Sequence, residues 1–315
     1  MTPEVSAIIV NYNAGQDLAL ALRTVQTDCA QIPWEAVVVD NASTDGSASA
    51  VETFPQATLI RNADNVGFGR AVNQAVASSR APLLLLLNPD CQLSTGATAT
   101  LRAVLAAEPA CAIVGPRILD PDGGVQGSAR GDPDMLTGLF GRTGALRALM
   151  PFLPVARRNV LVEDAARSGA SSVVVDWLSG ACLLVRRDAF LAAGGFDERF
   201  FMYWEDADLC RRLRGQGFTI RYVPGASAVH QVGRSSQTAR RSSIRAFHRS
   251  AYLYYSTHVA PGALNPRRLV ARALLVATPG VRELTEGSEA TQAPPFLPDS
   301  VLIRVLRNLR FLRSR

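Results

Sequence analysis

Three groups of residues in this chain have types and spacings that can do chemistry. The first is Asn88-Pro89-Asp90, which follows the five consecutive leucines Leu83–Leu87. Such a run suits a strand buried on both faces, and strands of that kind belong to parallel sheets covered by helices. In open α/β sheets, ligands bind beyond the carboxyl ends of the strands, which places Asp90 at the ligand crevice. Asn88 and Asp90 are two apart, so in an extended chain both side chains point the same way, and Pro89 holds the residue before it extended. Two oxygen donors on one crevice suit a hard divalent cation, which takes one or two protein carboxylates and completes its shell with water and substrate phosphates. The competing reading is an ordinary strand exit with a turn at Pro89-Asp90.

The second group is Trp204-Glu205-Asp206-Ala207-Asp208, at the start of a helix that runs through Leu209 and Leu213. Acids in a first helical turn complement the helix dipole, and Asp208 is expected to do only that, paired with Arg211 or Arg212. The chemical alternative is a carboxylate that projects into the crevice as a general base, beside Trp204 as a flat apolar face or a core residue. The third group is His230, just beyond the strand Phe218–Pro224. A lone histidine is usually structural, but a neutral imidazole is also a good metal ligand.

These groups need a scaffold, and the chain supplies one in alternation. Val5–Val10, Ala36–Val39, Thr58–Ile60, Leu83–Leu87 and Ala112–Pro116 read as strands, with helices expected after Gly15, after Gly46, from Gly67 onward and over Ala97–Ala107. Strand–helix alternation predicts βαβ units and a mostly parallel sheet. Polar residues gather where the strands end: Tyr12, Asp40, Asn65 and Asp90. A dinucleotide-binding Rossmann domain is disfavoured, because the first strand-to-helix turn reads Asn11-Tyr12-Asn13-Ala14-Gly15 where Gly-x-Gly-x-x-Gly is required. Residues 120–170, rich in Gly, Pro and Arg, are expected to form a mobile loop region with a helical stretch near Leu136–Leu149.

Composition narrows the classes further. With 315 residues, 48% hydrophobic and 19% charged, the chain reads as a folded globular protein, long enough for one large domain or for one domain with an appended piece. Its net charge of +6 is unevenly placed: residues 1–233 hold 19 Arg against 23 acids, while residues 234–315 hold 14 Arg against 4. No lysine is present. A basic tail beside a slightly acidic body suits an anionic surface, and no helix-turn-helix, zinc or RNA-binding signature points to nucleic acid. Cys29, Cys91, Cys111, Cys182 and Cys210 are odd in number and lack any Cys-x-x-Cys, as expected of reduced, buried thiols in a cytoplasmic protein. No secretory leader or membrane-spanning run is expected. On a helical wheel, Val301, Leu302, Val305, Leu306, Leu309 and Leu312 share one face, with Arg304, Arg307, Arg310 and Arg315 mostly on the other. Such a helix can lie in a membrane interface or pack on the body.

Eight motifs in order carry a resemblance over about residues 4–235: Val10–Asn13, Val39–Gly46, Asn65–Gly69, Asn88–Asp90, Trp177–Gly180, Gly194–Glu198, Trp204–Asp208 and His230. The chain resembles the inverting glycosyltransferases of family 2, and within them the bacterial rhamnosyltransferase-like branch. The resemblance implies a GT-A fold: a single Rossmann-like nucleotide-sugar-binding domain over residues 1–235, with a basic helical extension over 236–315. It implies that Tyr12, Asn13 and Asp40 hold the nucleoside, that Asn65, Gly67 and Arg70 lie along ribose and diphosphate, and that Trp177, Ser179 and Gly180 line the sugar pocket. Asn88-Pro89-Asp90 would stand at the family's Asp-x-Asp metal motif, with Asn88 replacing the first acid, and Asp90 and His230 would ligate Mg²⁺ or Mn²⁺. Asp206 would be the catalytic base, with Trp204 and Glu205 on the acceptor side. The implied activity is metal-dependent, inverting transfer of a sugar, L-rhamnose from dTDP-rhamnose first, to a lipid-linked or polysaccharide acceptor. Alternatives are a UDP-galactofuranose or UDP-hexose donor, or a catalytically silent sugar-nucleotide-binding module. Attachment to the inner face of the cytoplasmic membrane would suit a lipid-linked acceptor.

Overall fold

A computed structural model describes residues 2–132, 169–231, 240–269 and 271. The helical stretch expected near Leu136–Leu149, most of the loop region around it and the amphipathic stretch Val301–Arg315 lie outside the described residues.

Eleven strands and six α-helices are described. They run β1 (Val5–Asn11), α1 (Asp17–Asp28), β2 (Trp34–Asp40), β3 (Ala57–Arg61), α2 (Phe68–Ser78), β4 (Leu83–Leu87), β5 (Cys91–Leu93), α3 (Ala97–Ala107) and β6 (Cys111–Leu119). Next come β7 (Ala129–Arg130), β8 (Val173–Val175), β9 (Trp177–Leu178), β10 (Cys182–Arg186), α4 (Arg187–Ala192), α5 (Glu205–Gly215), β11 (Thr219–His230) and α6 (Arg240–Tyr254). Nine of the strands form one sheet in the order β3-β2-β1-β4-β10-β6-β11-β5, with β8 also on β11. Neighbours β3, β2, β1 and β4 are parallel. β10 runs against both β4 and β6, so β6 and its parallel partner β11 return to the direction of β4. The expected mostly parallel sheet is therefore present, with reversed strands at β10, β5 and β8.

The leucine run shows why the sheet sits where it does. Leu85 and Leu87 pack into the layer of α1 and α3, with Leu18, Leu22, Leu101 and Leu105. Leu84 and Leu86 alternate into the opposite layer, with Val72 and Val76 of α2, Phe190 of α4, and Leu209 and Leu213 of α5. Both faces of the strand are apolar because both are covered, as period-two alternation requires.

Two local expectations are corrected. The helix expected after Gly46 is a 3₁₀ turn, Ser47–Thr53. Ser47 spends its backbone N–H and hydroxyl on Asp45 Oδ1 (3.0 and 2.6 Å), and Pro55 bars continuation beyond Phe54. Asn88-Pro89-Asp90 is not extended: β4 ends at Leu87, and the Cys91 N–H donates to Asn88 O (3.1 Å) across a turn into β5.

Beyond the expected boundary at residue 235, the described residues include a helix that touches the body. Helix α6 lays Phe247, Ala251 and Tyr254 against Phe200, Trp204 and Ala207, and the Ser250 hydroxyl donates to Met202 O (2.9 Å). All five cysteines are free and buried. Among the described residues no helix is long and apolar enough to cross a membrane.

Candidate functional site

The strands β1, β2, β4, β6 and β11 all deliver their carboxyl ends to one edge of the sheet, and the chemistry-bearing residues collect there. At the β1–β2 end, Asn11 stands opposite Asp40. The buried Asn11 amide donates to Asp40 Oδ1 (2.7 Å), Ser43 Oγ (3.0 Å) and Ser47 Oγ (2.9 Å). Asn13, with φ of 51°, accepts the Thr44 N–H (2.8 Å) and donates its own N–H to Ser43 Oγ (2.9 Å). Asn41 continues the knot to Asn65 Oδ1 and to Gly67 O, both at 3.3 Å. Asp40 is therefore a buried anchor of the loop, while Tyr12 and Asn13 are half-buried at its rim.

Gly67 has a steric reason of its own. With φ of +89°, a Cβ there would lie 2.6 Å from Phe201 O, and the Phe68 N–H donates to the same oxygen (2.8 Å). Arg70 lies on the exposed side of α2 with Glu198 at 3.6 Å.

At the end of β4 the turn achieves what the extended geometry was expected to do. Asp90 Oδ1 lies 3.2 Å from His230 Nε2, and Asn88 Nδ2 lies 3.4 Å from the same nitrogen. Asp90 and His230 are each 8% exposed. Gln126 gives its amide hydrogens to Asp120 Oδ1 (2.8 Å) and His230 O (2.9 Å), leaving its Oε1 to face His230 Nδ1 at 3.2 Å. That makes Nδ1 the donor and leaves Nε2 directed at Asp90, two groups between which a cation or a proton can sit. Among the described residues, no group of three or more His, Cys, Asp and Glu is assembled for a metal. Asp90 and His230, with Asn88 beside them, could hold a cation that draws its remaining ligands from phosphate and water. Sequence reasoning missed Gln126 and Asp120, because a glutamine in a Gly/Pro-rich loop carries no periodic or motif signal.

The third group faces this turn across a short bridge. The Asn88 N–H donates to Ala181 O (2.9 Å), and the N–H of the adjacent Gly180 donates to Asp206 Oδ2 (2.8 Å). The other Asp206 oxygen accepts the Ala207 N–H at 2.8 Å. Ser179 joins the bridge through its N–H to Ser128 O (2.8 Å). Trp177 donates its indole N–H to Gly131 O (2.9 Å), with the Arg130 guanidinium 5.3 Å from its ring centre. Glu205 is buried; loss of solvation, then the charges of Asp206 and Asp208, push its carboxyl well above the usual 4.5. Trp204 is 8% exposed, and its indole lies inside the seam with Phe247 and Tyr254, at 5.8 and 5.3 Å between ring centres. Asp208 meets Arg212 at 2.7 Å, one of the two partners expected for it, and also meets His258.

A family model described as "Glycosyl transferase family 2" matches residues 6–159, and one described as "Glycosyl transferase family group 2" matches residues 155–256. The N-acetylglucosaminyl-diphospho-decaprenol L-rhamnosyltransferase of Mycobacterium tuberculosis is 35% identical over 271 residues, covering 81% of this chain and 84% of that one. The chain belongs to glycosyltransferase family 2. The rhamnosyltransferase WbbL of Escherichia coli is 38% identical over 84 residues, 27% of this glycosyltransferase and 32% of WbbL. Among solved structures, GalNAc-T7 with UDP, GalNAc and Mn²⁺ matches with a TM-score of 0.58 at 15% identity, over 87% of this chain and 55% of that one. The mannosyltransferase PcManGT of Pyrobaculum calidifontis, solved with GDP-Man and Mn²⁺, matches at 0.51 and 20% identity, over 99% and 81%. The likeness to these two is one of fold, and the fold of this glycosyltransferase is GT-A.

Proposed function

We propose that this glycosyltransferase moves L-rhamnose from dTDP-rhamnose to a hydroxyl of a lipid-linked saccharide, by single displacement with inversion. The observation that supports the transferred sugar and the acceptor is the 35% identity, over 84% of its length, to an enzyme named for L-rhamnosyl transfer to N-acetylglucosaminyl-diphospho-decaprenol. The site's geometry carries the mechanism. The Asn11–Asp40–Ser43 knot stiffens the loop against which Tyr12 and Asn13 take the nucleoside. Asp90 and His230, with Asn88, would hold a divalent cation; when bound, it neutralises the negative charge that develops on the diphosphate as it leaves. Two of the structural neighbours, GalNAc-T7 with UDP and PcManGT with GDP-Man, were solved with Mn²⁺.

Asp206 takes the proton from the acceptor hydroxyl, whose ordinary pKa lies far above neutrality. Its two oxygens are already oriented by the Gly180 and Ala207 N–H groups, so the carboxylate waits in place and loses little freedom in the reaction. With one base and no second nucleophile, the sugar's anomeric centre inverts. Arg70 is drawn toward the diphosphate when the donor displaces its exposed contact with Glu198, a contact worth at most about 1 kcal/mol.

The test is a transfer assay with dTDP-rhamnose, UDP-galactofuranose and UDP-glucose, each with a polyprenyl-diphosphate-linked N-acetylglucosamine and with Mg²⁺, Mn²⁺ or EDTA. Rhamnosyl transfer that EDTA abolishes is expected, as is a loss of roughly 10²–10⁴ in kcat for Asp206→Asn with nucleotide affinity kept within a few-fold. Turnover of a UDP-sugar in place of dTDP-rhamnose would reassign the donor. Most of the turnover surviving in Asp206→Asn would remove that residue as base.

A further inference from the structure

Helix α5 is entered through Tyr203 and Trp204, with φ of 69° and 70°. Bulky residues rarely adopt this left-handed backbone, and it persists only where the surroundings over-determine it. Here those surroundings are α6 and a π-helical turn, Tyr255–Val259, that follows it. Phe247 and Tyr254 enclose the Trp204 indole, and Ser250 ties down Met202 O. Arg211 of α5 reaches the Tyr254 hydroxyl (3.4 Å) and His258 O (3.3 Å). His258 itself donates from Nε2 to Asp208 Oδ1 at 2.6 Å, while Arg212 takes the other oxygen at 2.7 Å.

Asp208 is 1% exposed, and its N–H closes the first turn of α5 on Trp204 O (2.9 Å). Holding its side chain therefore holds the turn that carries Asp206. The π turn sets the register of that grip. Such turns are rare and frequently lie at functional sites, and removing the one extra residue would swing His258 about 100° around the helix axis. His258 lies beyond the last residue, 256, that the family models match.

We propose that His258 is a positioning residue for the catalytic carboxylate: through Asp208 it fixes the strained entry of α5, so that Asp206 meets Gly180 in the geometry that transfer requires. This rests on the reading of Asp206 as base.

The experiment compares His258→Ala with His258→Gln, whose amide can still donate to Asp208. Three quantities are read: kcat against donor KM, nucleotide affinity, and hydrogen exchange at the amides of residues 203–208. His258→Ala is expected to lower kcat between about ten- and a hundredfold, the cost of a small misplacement. Donor KM should stay unchanged, exchange at 203–208 should quicken, and His258→Gln should recover most of the rate. Unchanged kcat and exchange in His258→Ala would overturn the proposal. So would a rate loss that follows only the fraction of protein folded and is not recovered by glutamine. If the alanine variant does not fold, His258→Phe, which keeps a ring against Tyr254 but cannot donate, carries the same comparison. Asp206→Asn, run alongside, separates the two readings. If it keeps its turnover while His258→Ala still loosens residues 203–208, the base assignment fails and the coupling stands.

Discussion

At the scale of single residues, the first turn of α5 holds three carboxylates whose environments differ sharply. Asp208 is buried but doubly paired by Arg212 and His258, and Asp206 is oriented by two backbone N–H groups. Glu205 is buried with its Oε2 lacking any hydrogen-bond partner. Burial pushes its carboxyl above the usual 4.5, so in the window from there upward the folded protein holds a proton that the unfolded chain has released. Stability from this group is full below that window and is lost as pH rises through it. Glu205→Gln, neutral at every pH, is expected to raise Tm near pH 7 and to change it little at about pH 4.5. Thermal melts across that range check the sign; a shift that does not vary with pH would mean that Glu205 is ionised in the fold.

At the scale of elements, the site depends on close approach between segments distant in sequence. Gly67 lets the start of α2 sit against the Phe201 backbone, and an alanine there meets both a forbidden φ and a carbonyl oxygen at 2.6 Å. Gly67→Ala is expected to destabilise the protein by at least roughly 1–3 kcal/mol, the cost of forcing an L-residue into that backbone region. Urea denaturation measures it; a loss under about 0.5 kcal/mol would mean that the segment around Phe201 yields freely. The Asn88-Pro89-Asp90 turn teaches a similar lesson. Two side chains expected to align through strand alternation are brought together instead by a turn, and their meeting point is a histidine from the far end of β11.

At the scale of the molecule, packing and charge divide the chain differently. The described part of α6 belongs to the body, since its aromatic residues complete the seam around Trp204. Charge still separates the chain at about residue 234, with 14 Arg against 4 acids beyond it. Each arginine near an anionic leaflet adds on the order of 1 kcal/mol of attraction. Deleting residues 301–315 is therefore expected to release the protein from phosphatidylserine-containing vesicles in a sedimentation assay while leaving transfer to a short-chain soluble acceptor intact. Unchanged vesicle binding would remove this stretch as a membrane anchor and favour its packing on the body.

Much of this molecule is written locally. The buried strands, α3 over Ala97–Ala107, the collection of polar residues at strand ends and the motifs that carry the family follow from hydrophobic period and from residue types at fixed spacing, which a linear chain displays. Other features depend on which segments meet. Gln126 behind His230, the bridge from Asn88 through Ala181 and Gly180 to Asp206, the burial of Trp204 and the grip of His258 on Asp208 join residues separated by up to 104 positions. No local pattern encodes such a contact. It exists because β10 inserts antiparallel between β4 and β6, and because α6 folds back over the entry to α5 to cover apolar rings that would otherwise face water.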